Sequence, residues 1–483
     1  MRVLISTYNK KGLEKFAKEL VKMGCEIIAT SGTAKFLKKR KIPVLETKTL
    51  TGFEKILKGK VKTLHPLIFA GILATEKDPD IKKHKIPLID MVVVNFYSLN
   101  RRKVDETIDI GGVSLLRAGA KNYRRVIPVC DPADYSMILK HLENGGVPQK
   151  IRKELAKKAF LLCAKYNGRI VEILDEKENI PWNVFISMSK ILDLKYGENP
   201  HQKGAFYSEK EFPGEVLQGE PLSYNNILDI DSAINCVRDF SKCACAIVKH
   251  TNPCGVSENP SQVKAFKEAL LCDPLSAFGG IVAFNRKVDG KTAKIVKKHF
   301  FEVICAPDFT EEALKIFSAK KKLILFKYKN FQKKFSLRTS LNGFILQENK
   351  TPSIKVANST KKLSKEKLKE ILFGAKVVFR VASNATVVVK GTKTIGIAGG
   401  QPSRIDSVKL ALKRAKKMKK NLKGCILITD GFFPFDDSIK QAFSSGIKTI
   451  AAPFGSIRDS QICKTAKNLK INLVFLTTRL FKH

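Results

Sequence analysis

Short, mostly apolar segments alternate with amphipathic segments through the first part of the chain. Residues 2–6 and 89–96 are predicted strands, and residues 10–24 are a predicted helix because their apolar side chains recur at helical spacing. A strand that is apolar on both faces is typical of a parallel sheet covered by helices on each side. The alternation therefore predicts a doubly wound α/β domain at the start of the chain.

The same pattern continues to the end of the chain, with further predicted strands at 243–249 and 280–284. A length of 483 residues suggests about three domains. We expect them at 1–188, 189–350 and 351–483. The last two blocks have similar strand and helix content, which suggests a duplicated fold, although no sequence repeat supports one.

Composition and cysteine usage predict a globular protein of a reducing compartment. Apolar residues make up 44% of the chain and charged residues 28%, and no apolar run approaches the roughly 18 residues of a membrane span. The start of the chain turns polar after Ile5, which predicts no signal peptide. The eleven cysteines include no CxxC pair, so we expect free thiols, no zinc site and a cytoplasmic location.

The formal net charge of +43 favours anionic partners. Two classes of partner fit this charge: nucleic acids, and small phosphorylated or carboxylated substrates. The lysines are spread over predicted helix faces, and no signature of a nucleic-acid-binding module is present. Most of these lysines are therefore expected to be solvated surface residues.

Polar clusters in the first block follow predicted strands or precede predicted helices. Thr30-Ser31-Gly32-Thr33 suits a phosphate, because hydroxyls and free N–H groups meet at a helix start, but the same residues also make an ordinary N-cap. Both interpretations remain open. Lys60–Pro66, Asn95–Tyr97 and Ile108–Gly112 add lysines, a tyrosine and an aspartate along one presumed edge of the sheet.

The stretch Cys243–Gly255 combines an apolar run with an adjacent lysine and histidine. The run predicts a buried strand, which we expect to end at the turn Pro253-Cys254-Gly255. A Lys-His pair at the carboxyl end of a buried strand is typical of α/β active sites. A surface Lys249 and a structural loop His250 fit the pattern equally well.

Motifs in sequence order connect these clusters to a known family. The order TGF, VKTLHP, NFY and IDIGGVSLLRAGAKN resembles the N-terminal half of the PurH family of bifunctional purine-biosynthesis enzymes. LKYGENPHQ, LSYNNILD, the stretch Cys243–Gly255, DPLSAFGG, SNA, IAGGQPSR, DGFFPFDD and the final RLFKH resemble its C-terminal half. The resemblance implies an α/β protein with a methylglyoxal-synthase-like domain followed by two cytidine-deaminase-like subdomains. The HxE and PCxxC ligands of zinc deaminases are missing around His250, which argues for that fold without zinc.

The resemblance implies an IMP cyclohydrolase site in the first block. Its active-site residues would be Lys62, Tyr97, Asp109 and Lys121, and the nucleotide phosphate would be bound by Lys10, Thr30, Gly32 and Thr33, with Lys60 nearby. Lysines and a tyrosine can stabilise an oxyanion, and a carboxylate can take a proton from an amide. This chain has Tyr8-Asn9-Lys10 where the family usually has Ser-Asp-Lys, and Tyr97-Ser98-Leu99 where it has Tyr-Pro-Phe.

The resemblance also implies an AICAR transformylase site in the second and third blocks. His250 would act as general base, Lys249 would stabilise the oxyanion and protonate the leaving nitrogen, and Asn384 would orient the formyl oxygen or the histidine. AICAR would be bound by Lys195, Tyr196, Asn226, Arg404, Arg479 and His483. The folate would be faced by Phe278, Gly279, Glu302, Phe432 and Asp437, although a core position for Phe278 fits equally well.

The whole chain is thus interpreted as a bifunctional enzyme for the last two steps of IMP synthesis. Its co-substrate would be 10-formyltetrahydrofolate, no metal would be required, and the family's homodimer is expected, with no nucleic-acid or membrane partner. Two alternatives remain. In one, a single half is active and the other is a scaffold. In the other, the chain is a basic nucleotide- or RNA-binding protein on the same folds.

Overall fold

The computed structural model describes the chain except residues 55, 58–60, 76, 176–179, 210, 330–334 and 419–420. Its contacts divide the chain into two compact units, Met1–Ser187 and Met188–His483. Each unit is described by itself below. The predicted boundary between 350 and 351 lies inside the second unit and stays a prediction.

The first unit contains a parallel sheet of five strands in the order β3-β2-β1-β4-β5. The strands are β1 (Arg2–Thr7), β2 (Glu26–Ala29), β3 (Leu45–Glu46), β4 (Met91–Asn95) and β5 (Ile127–Val129). Val3 and Ile5 pack into one apolar core, while Leu4 packs into another on the opposite face. A sheet buried on both faces confirms the predicted doubly wound α/β class.

Helices cover both faces of this sheet. They are α1 (Leu13–Lys22), α2 (Ser31–Lys38), α3 (Thr47–Thr51), α4 (Pro66–Leu73), α5 (Asp80–Lys83), α6 (Val104–Thr107), α7 (Gly111–Lys121), α8 (Tyr135–Glu143) and α9 (Gln149–Leu174). Helix α7 buries Leu115 and Leu116 on the same face as Leu4, whereas α1 buries Phe16 on the other. The loops after β1 and β4 therefore emerge together at the carboxyl edge of the sheet.

The second unit contains two six-stranded mixed sheets and two hairpins. Its strands are β6 (Ser189–Asp193), β7 (Ala205–Ser208), β8 (Gly214–Gln218), β9 (Ala244–Lys249), β10 (Asn252–Glu258), β11 (Ile281–Phe284), β12 (Val303–Ala306), β13 (Ile324–Tyr328), β14 (Phe335–Ser340), β15 (Gly343–Glu348), β16 (Val356–Ser359), β17 (Thr386–Val389), β18 (Thr394–Ala398), β19 (Ile426–Thr429), β20 (Thr449–Pro453) and β21 (Asn472–Leu476). The hairpins pair β6 with β7 and β14 with β15.

The two large sheets have the same topology. Read from the far edge, one runs β8-β13-β12-β11-β9-β10 and the other β16-β21-β20-β19-β17-β18. In both, the successive pairings are antiparallel, parallel, parallel, antiparallel and antiparallel. The suggested duplication is therefore present in the strand order, even though the sequence carries no repeat.

Helices surround both sheets, and the sheets share a core. The helices are α10 (Tyr224–Arg238), α11 (Gln262–Cys272), α12 (Pro274–Ala277), α13 (Gly290–Val296), α14 (Glu311–Phe317), α15 (Lys365–Val378), α16 (Arg404–Met418), α17 (Asp437–Ser444) and α18 (Asp459–Asn468). Val248 of one sheet and Val387 of the other belong to a single buried cluster. The edge strands β10 and β18 are joined by the Val256 N–H, which donates to Thr394 Oγ1 at 2.9 Å.

The predicted turn at Pro253-Cys254-Gly255 is wrong. These residues lie inside β10, and the chain reverses earlier, at His250–Thr251. Pro253 is tolerated because β10 is an edge strand whose register shifts between Pro253 and Gly255. Gly255 is required by close packing, since a Cβ there would lie 1.9 Å from the carbonyl oxygen of Ala269 in α11.

Candidate functional sites

Lys10 enters the first candidate site from the loop after β1. Its Nζ donates to Thr33 Oγ1 at 3.1 Å and to the carbonyl oxygen of Thr7. Asn95, at the end of β4, accepts from the N–H groups of Tyr8 and Asn9 at 2.6 and 2.9 Å. The unusual Tyr8-Asn9-Lys10 segment is thus held at the carboxyl edge of the sheet.

Thr30 and Gly32 lie at the start of α2, beside Lys10. Thr30 is the N-cap residue, yet its side chain makes no capping hydrogen bond and instead donates to Ser6 Oγ at 3.4 Å. The ordinary N-cap interpretation is therefore weakened. A cation and the first turn of a helix meet here, which is an arrangement suited to a phosphate.

Two lysines approach each other at this site. Lys62 Nζ lies 3.3 Å from Tyr97 Oη, within hydrogen-bond distance. Burial, and secondarily the positive charge of Lys62, lower the pKa of Lys10 to about 8. Two ammonium groups held close together favour an anion between or beside them.

Asp109 completes the cluster. Burial raises the pKa of its carboxyl group, and the N–H groups of Gly112 and Tyr97 and the charge of Lys62 oppose that rise. Asp109 Oδ1 accepts from the Gly112 N–H at 2.7 Å, and a Cβ on Gly112 would lie only 2.7 Å from the carboxylate, so glycine is required there. A carboxyl group with a raised pKa suits proton transfer.

Lys121 and Lys60 are not placed in this cluster. Lys121 is the last residue of α7, about 15 Å along the helix axis from its first turn, and it lies towards the amino edge of the sheet. Lys60 lies outside the described residues. A cavity of about 630 Å³ also opens at the amino edge, but its Arg125 donates to backbone carbonyls, including that of Gly71 at 2.6 Å, so this arginine has a structural role.

The second candidate site is built around the end of β9. Lys249, its last residue, donates from Nζ to the carbonyl oxygen of Phe278 at 2.8 Å. Phe278 is 64% exposed as a residue, and its ring packs against that of Phe300 with 5.0 Å between centroids. Exposure on this scale excludes the core interpretation of Phe278. Gly279 follows with φ 71, a conformation that favours glycine.

His250 lies in the turn directly after Lys249 and is exposed. Its N–H donates to Asp229 Oδ2 at 3.0 Å. Asn252, on the other side of the turn, accepts from the Ala382 N–H at 2.9 Å. This contact brings the first hairpin beside the segment that leads to Asn384.

Asn384 lies just before β17. Its Nδ2 donates to the carbonyl oxygens of Gln401 and Pro402 at 2.9 and 3.0 Å. Because carbonyl oxygens only accept, these contacts assign the amide orientation and leave Oδ1 as the available atom. Asn384 and His483 line one cavity of about 270 Å³, together with Ser383, Gly400, Gln401, Pro402 and Phe481.

Two of the predicted AICAR ligands are occupied by internal partners. Arg404 is buried, forms an ion pair with Asp430 and donates to the carbonyl oxygen of Ala385 at 3.0 Å. Asn226 accepts from the Ser223 N–H at 3.0 Å and donates from Nδ2 to Glu302 Oε2 at 3.0 Å. Both residues therefore support neighbouring segments, and their substrate roles remain predictions.

The other predicted ligands lie nearer the surface. Lys195 pairs with Glu220 at 3.2 Å, and Tyr196 accepts through its carbonyl oxygen from the Tyr224 N–H at 3.1 Å. The Arg479 guanidinium lies 5.7 Å from the ring centroid of Phe432 and 5.3 Å from that of Phe481. Asp437 begins α17.

Sequence reasoning missed the residues that hold these side chains in place. Asn95 and Asp229 both fall inside quoted motifs, so their positions were visible but their roles were not. Within the described residues, no group of three His, Cys, Asp or Glu side chains is placed to hold a metal ion. The described part of the chain also contains no helix with the length and apolar run needed to cross a bilayer.

Comparison with known proteins covers the whole chain. The family model described as AICARFT/IMPCHase bienzyme matches residues 119–414, and the model described as MGS-like domain matches residues 12–119. Proteins named bifunctional purine biosynthesis protein PurH from Persephonella marina and Aquifex aeolicus are each 42% identical over 100% of this chain and 99% and 100% of their own lengths. The protein of that name from Clostridium perfringens strain SM101 is 42% identical over 100% of this chain and 99% of its own.

Proposed function

The chain belongs to the AICARFT/IMPCHase bienzyme family, and from this premise we propose which residues carry its two reactions. It is a bifunctional enzyme of purine biosynthesis. It transfers a formyl group from 10-formyltetrahydrofolate to AICAR and closes the product, FAICAR, to IMP. The observation that carries this conclusion is the match to PurH proteins along the full chain, which includes both candidate sites.

Formyl transfer is assigned to Lys249 and His250. The amine nitrogen of AICAR bonds to the formyl carbon, and His250 takes the proton that this nitrogen loses. The tetrahedral oxyanion is stabilised by the Lys249 ammonium, which then protonates the departing folate nitrogen as the carbon–nitrogen bond breaks. Both residues belong to one hairpin, so a single backbone segment sets their spacing.

Asn384 is assigned to the amine of AICAR. Its Nδ2 already donates to two carbonyl oxygens, so only Oδ1 is available. An amide oxygen accepts hydrogen bonds and therefore suits the amino group or the neutral imidazole, not the formyl oxygen. Asn384 Oδ1 is therefore assigned to accept from the amino group of AICAR rather than to contact the formyl oxygen.

Folate binding is assigned to the exposed aromatic pair next to Lys249. Phe278 and Phe300 offer a flat apolar surface for a pterin ring. The remaining residues keep the roles that the family resemblance implies. For AICAR these are Lys195, Tyr196, Asn226, Arg404, Arg479 and His483, and for the folate Gly279, Glu302, Phe432 and Asp437.

Ring closure is assigned to the cluster in the first unit. Asp109 takes a proton from the carboxamide nitrogen as that nitrogen bonds to the formyl carbon, and Lys62 and Tyr97 stabilise the resulting oxyanion. The carbon–oxygen bond then breaks, and the oxygen leaves as water with that proton and the proton lost from the formamido nitrogen. Lys10, Thr30, Gly32 and Thr33 bind the phosphate, with Lys60 nearby. The active-site role that the resemblance implies for Lys121 stays a prediction, because Lys121 lies at the far end of α7 from Asp109. Since the reaction is intramolecular, positioning supplies much of the rate gain.

A homodimer and a cytoplasmic location complete the proposal. The eleven cysteines are all free thiols, which agrees with a reducing compartment. Phe435, Phe454 and Ile457 of the second unit are exposed, and we expect a second copy of the chain to cover exposed apolar side chains of this kind.

The experiment separates the two activities on one protein. Purified enzyme with AICAR and 10-formyltetrahydrofolate should produce tetrahydrofolate and IMP, and FAICAR alone should produce IMP. Lys62→Ala should abolish ring closure and spare formyl transfer, whereas His250→Ala should do the reverse. Formyl transfer at the wild-type rate in His250→Ala would overturn the base assignment, and salt-sensitive RNA binding without either activity would favour the binding-protein alternative.

A further inference from the structure

His250 occupies a backbone conformation that side chains rarely adopt. Its φ is 52°, and that of Thr251 is 60°. In this left-handed region the Cβ crowds the following carbonyl oxygen, so two successive residues with side chains need external support. The equivalent turn of the second sheet has Gly391, with φ 62°, at the position of His250.

Asp229 of α10 binds the backbone N–H groups of the turn. Its Oδ2 accepts from the His250 N–H at 3.0 Å, and its Oδ1 accepts from the Thr251 N–H at 2.5 Å. A carboxylate that binds two successive N–H groups holds both peptide planes at once. Both carboxylate oxygens are thereby committed to the backbone, so Asp229 is poorly placed to act on substrate itself.

Three other side chains bind the backbone carbonyl oxygens of the turn. Asn252 Nδ2 donates to the carbonyl oxygen of His250 at 3.1 Å. Ser232 Oγ and Lys482 Nζ donate to the carbonyl oxygen of Thr251 at 2.8 and 3.0 Å. Ser232 follows Asp229 by one helical turn, so side chains of α10 bind both the N–H groups and a carbonyl oxygen of the turn.

We propose that Asp229 is a positioning residue for formyl transfer, which holds the His250–Thr251 backbone so that the imidazole stays beside Lys249. The inference rests on the proposed role of His250 as the base. It assigns Asp229 no contact with AICAR or folate. Its loss therefore lowers the rate of the chemical step more than the affinity for substrate.

The test is the near-isosteric change Asp229→Asn. Asparagine keeps one acceptor and places an NH₂ group against the other backbone N–H. We expect kcat for formyl transfer to fall on the order of 10²-fold, because a small misplacement of a catalytic group has an effect of that size. The KM for AICAR should stay near the wild-type value, and ring closure of FAICAR by the same protein should be unchanged.

Two further variants distinguish positioning from simple destabilisation. Asp239→Asn breaks the ion pair of Asp239 with Arg380, at the other end of α10, and should lower stability without lowering kcat. Adding Thr251→Gly to Asp229→Asn should restore part of kcat, because glycine adopts the left-handed turn without support. A wild-type kcat in Asp229→Asn, or an equal loss in Asp239→Asn with no rescue by glycine, would overturn the inference.

His250→Ala separates this inference from the proposed function. If it abolishes formyl transfer while Asp229→Asn has no effect, only the positioning role of Asp229 fails. If formyl transfer survives in His250→Ala, the assignment of the base fails and the role of Asp229 fails with it.

Discussion

The two six-stranded sheets of the second unit are copies in topology that differ at one turn. Val248 of β9 pairs with the first residue of β11, and Val389 of β17 pairs with the first residue of β19. The next residues are therefore equivalent, which aligns Lys249-His250-Thr251-Asn252 with Lys390-Gly391-Thr392-Lys393. The candidate base stands where the sister sheet has a glycine.

The difference shows what allows a histidine to occupy a turn that has a glycine in the other sheet. Gly391 reaches φ 62° without steric cost, whereas His250 reaches 52° beside the half-buried Asp229 carboxylate, which accepts from its N–H. In the second sheet the buried charges of Arg404 and Asp430 form an ion pair with each other. The four predictions that follow test this difference between the two sheets and its internal reference, ring closure, from the largest expected effect to the smallest.

Converting the first turn to the sequence of the second should remove one activity. His250→Gly should lower the rate of formyl transfer by about 10²–10⁴-fold, because it deletes the general base. Stability should not fall, because glycine suits the left-handed turn. Formyl transfer is measured with AICAR and 10-formyltetrahydrofolate, with ring closure of FAICAR as the internal reference; Lys390→Ala is the matched control and should keep both activities.

Removing the buried acid of the second sheet should act on stability. Asp430→Asn leaves the Arg404 guanidinium buried without its counter-charge, at a cost of about 3–5 kcal/mol. Urea denaturation followed by a probe in the second unit measures this loss. Adding Arg404→Met should recover part of it, and an unchanged midpoint in the single variant would contradict a structural role for the pair.

Ring closure of FAICAR, the internal reference in these assays, should have a pH dependence of its own. The pKa of Lys10 is lowered to about 8, so Lys10 is charged below that pH and neutral above it. The kcat/KM for FAICAR should therefore fall by up to about tenfold per pH unit above pH 8, as the phosphate loses a cation. Lys10→Arg stays charged and should lack this fall, so the same slope in both proteins would exclude Lys10 as its origin.

The smallest effect is expected at the glycine of the second turn. Gly391→Ala places a Cβ in a left-handed residue and should lower stability by about 1–2 kcal/mol. No heavy atom outside the neighbouring residues lies within 4 Å of that Cβ, so strain is the only cost. Thermal unfolding measures the change, and formyl transfer at 25 °C should stay at the wild-type rate.

Local pattern predicted the elements well because hydrophobic periodicity is itself local. The parallel sheet of the first unit and the strand before Lys249 follow from it directly. The turn at Pro253 was predicted wrongly because proline and glycine usually end a strand. Here both lie inside β10 for reasons that depend on distant packing: Pro253 lies at a register shift on an edge strand, and α11 approaches Gly255 closely. The AICAR-binding roles of Arg404 and Asn226 stay predictions, and the family motif that implies them carries no information on the internal partners that the structure gives both side chains.

Taken alone, the sequence determined the family, the two reactions and the candidate bases and cations, because each is a residue type within a motif. Tertiary structure decided which of these groups lie together and what holds them. Asp229 and His250 are 21 positions apart, and their contact depends on α10 packing beside β9. The left-handed turn that presents His250 is therefore a property of the folded unit, where the half-buried Asp229 carboxylate offsets backbone strain that the local sequence disfavours.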